Sequence, residues 1–334
     1  MIPVTDSSAI DRRCFLRDLA IVGISASTVG CSNRGTVGSP SPKLSSTPLT
    51  VDEIGVQLYT VSDALRQDFG GAIEQVAAIG YKRVEFAGYF NKSPEEVRAI
   101  LDRVRLSAPS THIGMDILRR DLPAQIAIAK VIGHEYITIP SLGRSETPMN
   151  TADAWKRVAS ECNEMGAKVK AAGLKLAFHS HSGEFVDVGG GKTGMDVFIT
   201  ETDPSVFNFQ IDLGWARVAN QDPVAWFRRY PGRFRMWHIK DFENLSAAQA
   251  RQAEAFRNPS ALATGRGGGG PVSQAGRPSP IGAGDIDFRP ILAAWKDAGL
   301  EHFFVEQDGA AQWPGGSLAS ITTSYQALRK LLAG

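Results

Sequence analysis

The stretch KVKAAGLKLAFHSH, residues 168–181, decides the architecture of this chain. Its first part has helical character and closes on Gly173, a residue suited to a left-handed helix cap. An apolar strand follows at once, over 174–181, and ends in two histidines. The same hand-over from a helix to a strand through glycine recurs in AIG at 78–80, VIG at 131–133 and DAG at 297–299. That recurrence is an internal repeat of βα units. Working outward, the spacing predicts eight strands, at 53–59, 82–87, 106–112, 135–140, 174–181, 206–213, 234–240 and 302–307. Helical segments lie between them, and one opens with Ser93-Pro94-Glu95-Glu96, in which Ser caps, Pro takes the first turn and Glu96 reaches back. Eight such units in about 280 residues fit a single-domain α/β protein, a closed (β/α)8 barrel. A doubly wound sheet usually has fewer strands and a glycine-rich first βα turn, which this chain lacks.

Composition narrows the function classes. The 334 residues carry 36 Lys+Arg against 35 Asp+Glu, a net charge of +1, which argues against a nucleic-acid partner. Three cysteines, Cys14, Cys31 and Cys162, make no disulfide framework. At the N-terminus, Arg12-Arg13 followed by Phe15-Leu16 and an apolar run over 19–30 reads as an export signal of the twin-arginine kind, too short to span a bilayer as an anchor. TVGC at 28–31 is similar to a lipoprotein cleavage box, which makes Cys31 a candidate lipid anchor. The expected organisation is a signal over 1–31, a Ser/Gly/Pro-rich linker over 32–48 and the barrel over 49–334, giving an exported, periplasmic protein. Residues 246–282, rich in Ala, Gln, Arg, Gly and Pro with four glycines at 267–270, are expected to form a mobile insertion over the barrel mouth after the seventh strand.

In a barrel of this kind the C-terminal strand ends form the active face, so polar side chains there carry the functional information. They are plentiful. Gln57 and Tyr59 end the first strand, Glu85 the second, His112 the third, His179 and His181 the fifth, Asp212 the sixth, His238 and Lys240 the seventh and Glu306 the eighth. Four of the six histidines belong to that set, an odd outcome for packing alone. Side chains two apart share a face, so His179 with His181, Gln210 with Asp212, His238 with Lys240 and Phe304 with Glu306 can all point inward. Imidazoles and carboxylates from neighbouring strands make a mixed N/O site suited to one divalent ion, Mn, Zn, Co, Fe or Mg.

Nine stretches carry a family resemblance: GVQLYTVSDAL (55–65), RVEFAGYF (83–90), APSTHIG (108–114), FHSHSGEF (178–185), FQIDLGWA (209–216), DPVAWFRRYPGRF (222–234), WHIKD (237–241), IGAGDIDF (281–288) and FFVEQD (303–308). Over 51–332 the chain resembles the xylose isomerase-like TIM barrels, the sugar phosphate isomerases/epimerases, including a secreted branch with twin-arginine leaders. The resemblance implies a metal set from the last four strands that maps onto His179, Asp212, His238 and Glu306. It also shows a departure, because much of the family has Glu where this chain has His179. In the epimerases of the family that Glu and the strand-eight Glu face each other as paired bases, so two-base epimerisation is in question here. His181, on the same face and expected to titrate near neutrality, is the replacement base, with Glu184 just beyond it.

The chemistry expected is proton removal next to a sugar carbonyl, with an enediolate stabilised by the ion. Reprotonation at the next carbon isomerises the sugar, whereas expulsion of a β group eliminates. Catalytic roles therefore fall to His181, Glu306, Lys240 and Glu184, with Asp241 orienting Lys240. Substrate contacts fall to Gln57, Tyr59, Glu85, His112 and Trp215, and Phe90 is a further aromatic that could stack on a sugar. A carbohydrate isomerase or epimerase is the first reading and a lyase acting on 3-keto-glycosides the second. A non-catalytic sugar-binding lipoprotein is the alternative from another class.

Overall fold

The computed structural model describes residues 49–143, 149–257 and 275–333. The export signal, the linker and Cys31 lie outside the described residues, as do 258–274, the centre of the expected insertion.

Eight parallel strands close into a barrel. They are β1 (Ile54–Gln57), β2 (Arg83–Phe86), β3 (Ser107–His112), β4 (Tyr136–Ile139), β5 (Lys175–Ser180), β6 (Phe207–Asp212), β7 (Met236–Ile239) and, after two short outer strands, β10 (His302–Val305), which pairs with both β7 and β1. Each predicted strand is present, trimmed at its ends. The trim of β1 removes Tyr59, which lies in a 3-10 turn over Leu58–Val61.

Local sequence explains the elements between the strands. Helix α3 (Pro94–Val104) starts in a complete capping box: the Ser93 backbone N–H donates to Glu96 at 2.7 Å and Ser93 Oγ accepts from Glu96 N at 3.1 Å. Helix α5 (Ala152–Ala171) ends just before Gly173, whose φ of 84° places it in the region that favours glycine, and β5 begins two residues later. Along the barrel wall alternate side chains face out and in. Phe178, Phe209, Ile211, Trp237 and Phe303 join the main apolar core, whereas Tyr136, Ala177, Met236 and Phe304 form a separate apolar layer. Two residues on from three members of that layer stand His179, His238 and Glu306. Apolar packing thus gives way to polar residues toward the C-terminal mouth.

The expectation of a mobile insertion over 246–282 needs correction at both flanks. Helix α9 (Leu245–Arg257) opens it, burying Leu245, Ala248, Gln252 and Ala255 on one face. Strand β9 (Arg277–Ser279) closes it, antiparallel to β8 (Asp241–Glu243). Alanine, glutamine, arginine and glutamate are strong helix formers, so the composition read as loop was a helix with a narrow apolar stripe.

Candidate active site and metal centre

At the C-terminal mouth the barrel gathers a closed polar cluster. Ligand atoms of His179, Asp212, His238 and Glu306 all lie within 4.8 Å of one another and all four residues are buried. Those of His112, His179 and His238 satisfy the same limit. Strand parity brings them together, as the alternation in the sequence implied.

His238 is held from both sides. Its Nδ1 lies 2.8 Å from Glu306 Oε2 and its Nε2 lies 2.5 Å from Glu85 Oε2. Burial alone would discharge the ring, but the two carboxylates outweigh it and raise His238 to about 10. Glu85 is itself enclosed. It accepts from Gln57 Nε2 at 2.9 Å and Gln210 Nε2 at 2.8 Å, and His112 Nε2 stands 3.3 Å away. Burial pushes Glu85 upward, and the charges and hydrogen bonds of His112 and His238 bring it well below the usual carboxylate range. The Gln57 oxygen accepts from the Tyr59 backbone N–H. Gln57 and Glu85, expected to touch substrate, are therefore committed to one another and to His238, beneath the mouth. The ring of His112 stacks on that of His238 at 5.3 Å and its Nε2 meets Gln210 Oε1 at 2.8 Å. Sequence parity had paired Gln210 with Asp212 without giving it a role, which this network supplies.

Lys240 is fully buried, with Nζ 2.9 Å from Asp212 Oδ2, 3.0 Å from Glu306 Oε2 and 2.7 Å from Asp308 Oδ2. The expected partner Asp241 plays another part. Its carboxylate accepts the backbone N–H groups of Phe242, Gly282, Gly284 and Ile286, which ties the loop after β9 to the start of β8. A side chain on Gly284 would come within 2.3 Å of Asp241 Oδ1, which explains that glycine of the IGAGDIDF stretch. Asp308 escaped the sequence reading, although it shares the inward parity of Glu306.

The proposed base, His181, is partly buried. Its ring lies edge-on to His179 at 4.6 Å, and its backbone N–H donates to Glu184 Oε2 at 2.8 Å. The near-neutral value expected of His181 is corrected here: burial first, then the Lys240 charge, lower it to about 3. Glu184 moves the other way, raised by burial to about 7. Trp215 is buried against Phe242, with Lys240 5.5 Å over its ring, whereas Tyr59 is exposed. The insertion helix reaches this region too, since Gln249 donates to the Arg217 carbonyl and Ser182 donates to Gln252.

Two buried atoms test whether these residues suit a cation. His179 Nδ1 has no hydrogen-bond partner, an arrangement that is costly unless something else engages it, and Asp212 Oδ2 has no partner but the Lys240 cation. Two imidazoles and two carboxylates are borderline donors, suited to Mn, Fe, Co or Zn more than to Ca. The residues fit a divalent ion.

A closed barrel with such a mouth defines an enzyme-bearing (β/α)8 protein. Residues 73–323 match the model of the xylose isomerase-like TIM barrel, and the chain belongs to that family. The inosose dehydratase of Lacticaseibacillus casei is 25% identical over 267 residues, covering 74% of this chain and 85% of its own. Among solved structures, a sugar phosphate isomerase/epimerase from Parabacteroides distasonis superposes with a TM-score of 0.66 at 22% identity, covering 87% of this chain and 98% of its own. The IolI protein, solved with a bound zinc atom, superposes with a TM-score of 0.61 at 12% identity over 84% of this chain and 98% of its own. Those two likenesses bear on the fold. Among the described residues no helix is long and apolar enough to cross a membrane.

Proposed function

We propose that the protein is a divalent-metal-dependent lyase that eliminates a β-oxygen, as water or as an alcohol, from a keto-sugar or keto-cyclitol. The carrying observation is the four-residue group of His179, Asp212, His238 and Glu306, with an unpartnered Nδ1 on His179 in a buried, otherwise hydrogen-bonded cluster. The dehydratase name of the relatives from L. casei and Clostridium tetani, the latter 27% identical over 51% of this chain, favours elimination within the sugar-enzyme family.

Bound in that group, a divalent ion supplies Lewis-acid polarisation of the substrate carbonyl. The chain's own residues do the rest. His181, neutral throughout the physiological range, takes the proton from the carbon next to the carbonyl as that C–H bond breaks. The C–O bond at the β carbon then breaks, and the Glu184 carboxyl gives its proton to the departing oxygen. The Lys240 ammonium, 3.0 Å from Glu306, faces the negative charge that develops. Two-base epimerisation fits less well. His179 replaces one base, and Glu306, despite its burial, is held below the usual carboxylate range by Lys240 and His238, which makes it a poor proton acceptor. We further propose an exported, periplasmic location from the Arg12-Arg13 leader, which favours a free sugar or glycoside over a phosphorylated intermediate.

Incubating the Mn- or Zn-loaded protein with an inosose, a 3-keto-glycoside and a free ketose in deuterated water, followed by NMR, tests the reading. Exchange coupled to loss of the β-oxygen is the expected result. Exchange that yields an aldose or an epimer with every oxygen retained would mean isomerase chemistry. Absence of exchange with all three would leave a sugar-binding protein.

A further inference from the structure

We propose that Lys240 is a built-in counter-cation that competes with the divalent ion for Asp212 and Glu306, and that Asp308 is the carboxylate onto which its ammonium withdraws. This rests on the metal reading given above.

Asp212 presents one oxygen to its backbone cap, since Oδ1 accepts from Trp215 N at 2.9 Å, which leaves Oδ2 as the oxygen it can offer to a cation. That oxygen is the one facing the Lys240 ammonium at 2.9 Å. Glu306 Oε2, 2.8 Å from His238 Nδ1, is likewise 3.0 Å from the same ammonium. A positive charge therefore already covers two of the four side chains an ion would use. Asp308 differs from the other two acceptors. It holds Nζ at 2.7 Å, stands outside the four-residue group, and its side chain is 24% exposed against 0% for Asp212 and 9% for Glu306. Lysine carries a compact charge on a flexible stem, so its ammonium can turn onto Asp308 while keeping one of its three carboxylate contacts.

Two consequences follow from exchanging one cation for another. The ion-free protein keeps Asp212 and Glu306 compensated, so the fold does not depend on the ion. Affinity for the ion is set below what the four donors would give alone, because the ammonium must be displaced or borne as a nearby like charge.

Titration calorimetry of the full-length apoprotein with Mn2+ and with Zn2+ tests this. Lys240→Met should bind each ion roughly tenfold more tightly or better, the scale expected on removing a like charge a few ångströms away. Lys240→Arg, which keeps the charge, should stay near wild type. Asp308→Asn should weaken binding by about tenfold, because the ammonium is left with no carboxylate but those of the two ligands. Tighter binding is a change that general loosening of the site would not produce. An ion bound by wild type but no more tightly by Lys240→Met overturns the proposal and leaves the metal reading standing. Binding by neither protein overturns both. Should Lys240→Met fail to fold, unchanged affinity in Asp308→Asn overturns the proposal alone.

Discussion

Glu85 illustrates how one buried residue can govern a centre it does not enter. Four side chains surround its carboxylate, and through His238 Nε2 it fixes which imidazole nitrogen faces Glu306. Carboxylates placed behind ligand histidines orient the ring and raise its basicity. Glu85→Gln should therefore lower divalent-ion affinity by roughly 10- to 100-fold, read by titration of the apoprotein. Glu184 makes a separate prediction. With its value raised by burial to about 7, it is protonated below that pH and loses its proton above it. If it protonates the leaving oxygen, turnover should fall as pH rises through about 7. Glu184→Gln should abolish that limb while cutting turnover by roughly a hundredfold or more. At this scale the sequence was informative because strands obey parity: once 174–181 is a strand, His179 and His181 share a face, and so do His238 and Lys240. Parity cannot say which polar residues satisfy each other. Gln57 and Glu85 read as substrate contacts for that reason, and the suppression of His181 by burial and Lys240 was not legible before the barrel closed.

Among the elements, the segment between β7 and β10 depends on Asp241. Its carboxylate receives four backbone N–H groups, one from Phe242 within β8 and three from Gly282, Gly284 and Ile286 after β9, and it is fully buried. Asp241→Ala leaves those donors unsatisfied and should cost about 3 kcal/mol or more, measured by urea denaturation. If the loss is under about 1 kcal/mol, water replaces the carboxylate and the loop is not anchored as described. Helix α9 teaches a related lesson. Leu245, Ala248, Gln252 and Ala255 lie at helical spacing and are buried, yet three of these four side chains are small or polar and gave little apolar signal. Its Gln252 bond to Ser182, next to His181, makes the start of the insertion part of the site wall.

For the whole molecule, the barrel has a chemical end and a structural end. Opposite the mouth, Glu301 joins strands through Lys175 Nζ at 2.6 Å, Tyr136 Oη at 2.6 Å and Arg235 at 3.1 Å. Burial raises the Glu301 carboxyl, but the hydrogen bonds and charges of Lys175, Tyr136 and Arg235 leave it below the ordinary value. A carboxyl whose folded value is depressed adds stability above the unfolded value near 4.3, and that stability is lost as pH falls through the folded value. Wild type should thus lose stability on acidification more steeply than Glu301→Gln in thermal melts between about pH 6 and 3. The fold as a whole was legible because the glycine hand-overs at 80, 133, 173 and 299 repeat a local signal that needs no tertiary knowledge. Asp308 and the roles of Asp241 and Glu85 were not, because each depends on contacts between residues far apart in the chain.

The central claim is that the mouth holds one divalent ion on His179, Asp212, His238 and Glu306. Elemental analysis of the purified protein after equilibration with Mn2+ or Zn2+ and removal of excess tests it most directly. About one ion per chain is expected in wild type, with clear loss in Asp212→Ala and Glu306→Ala and retention in His112→Ala. Equal metal content in wild type and all three variants, or none in wild type, would contradict it.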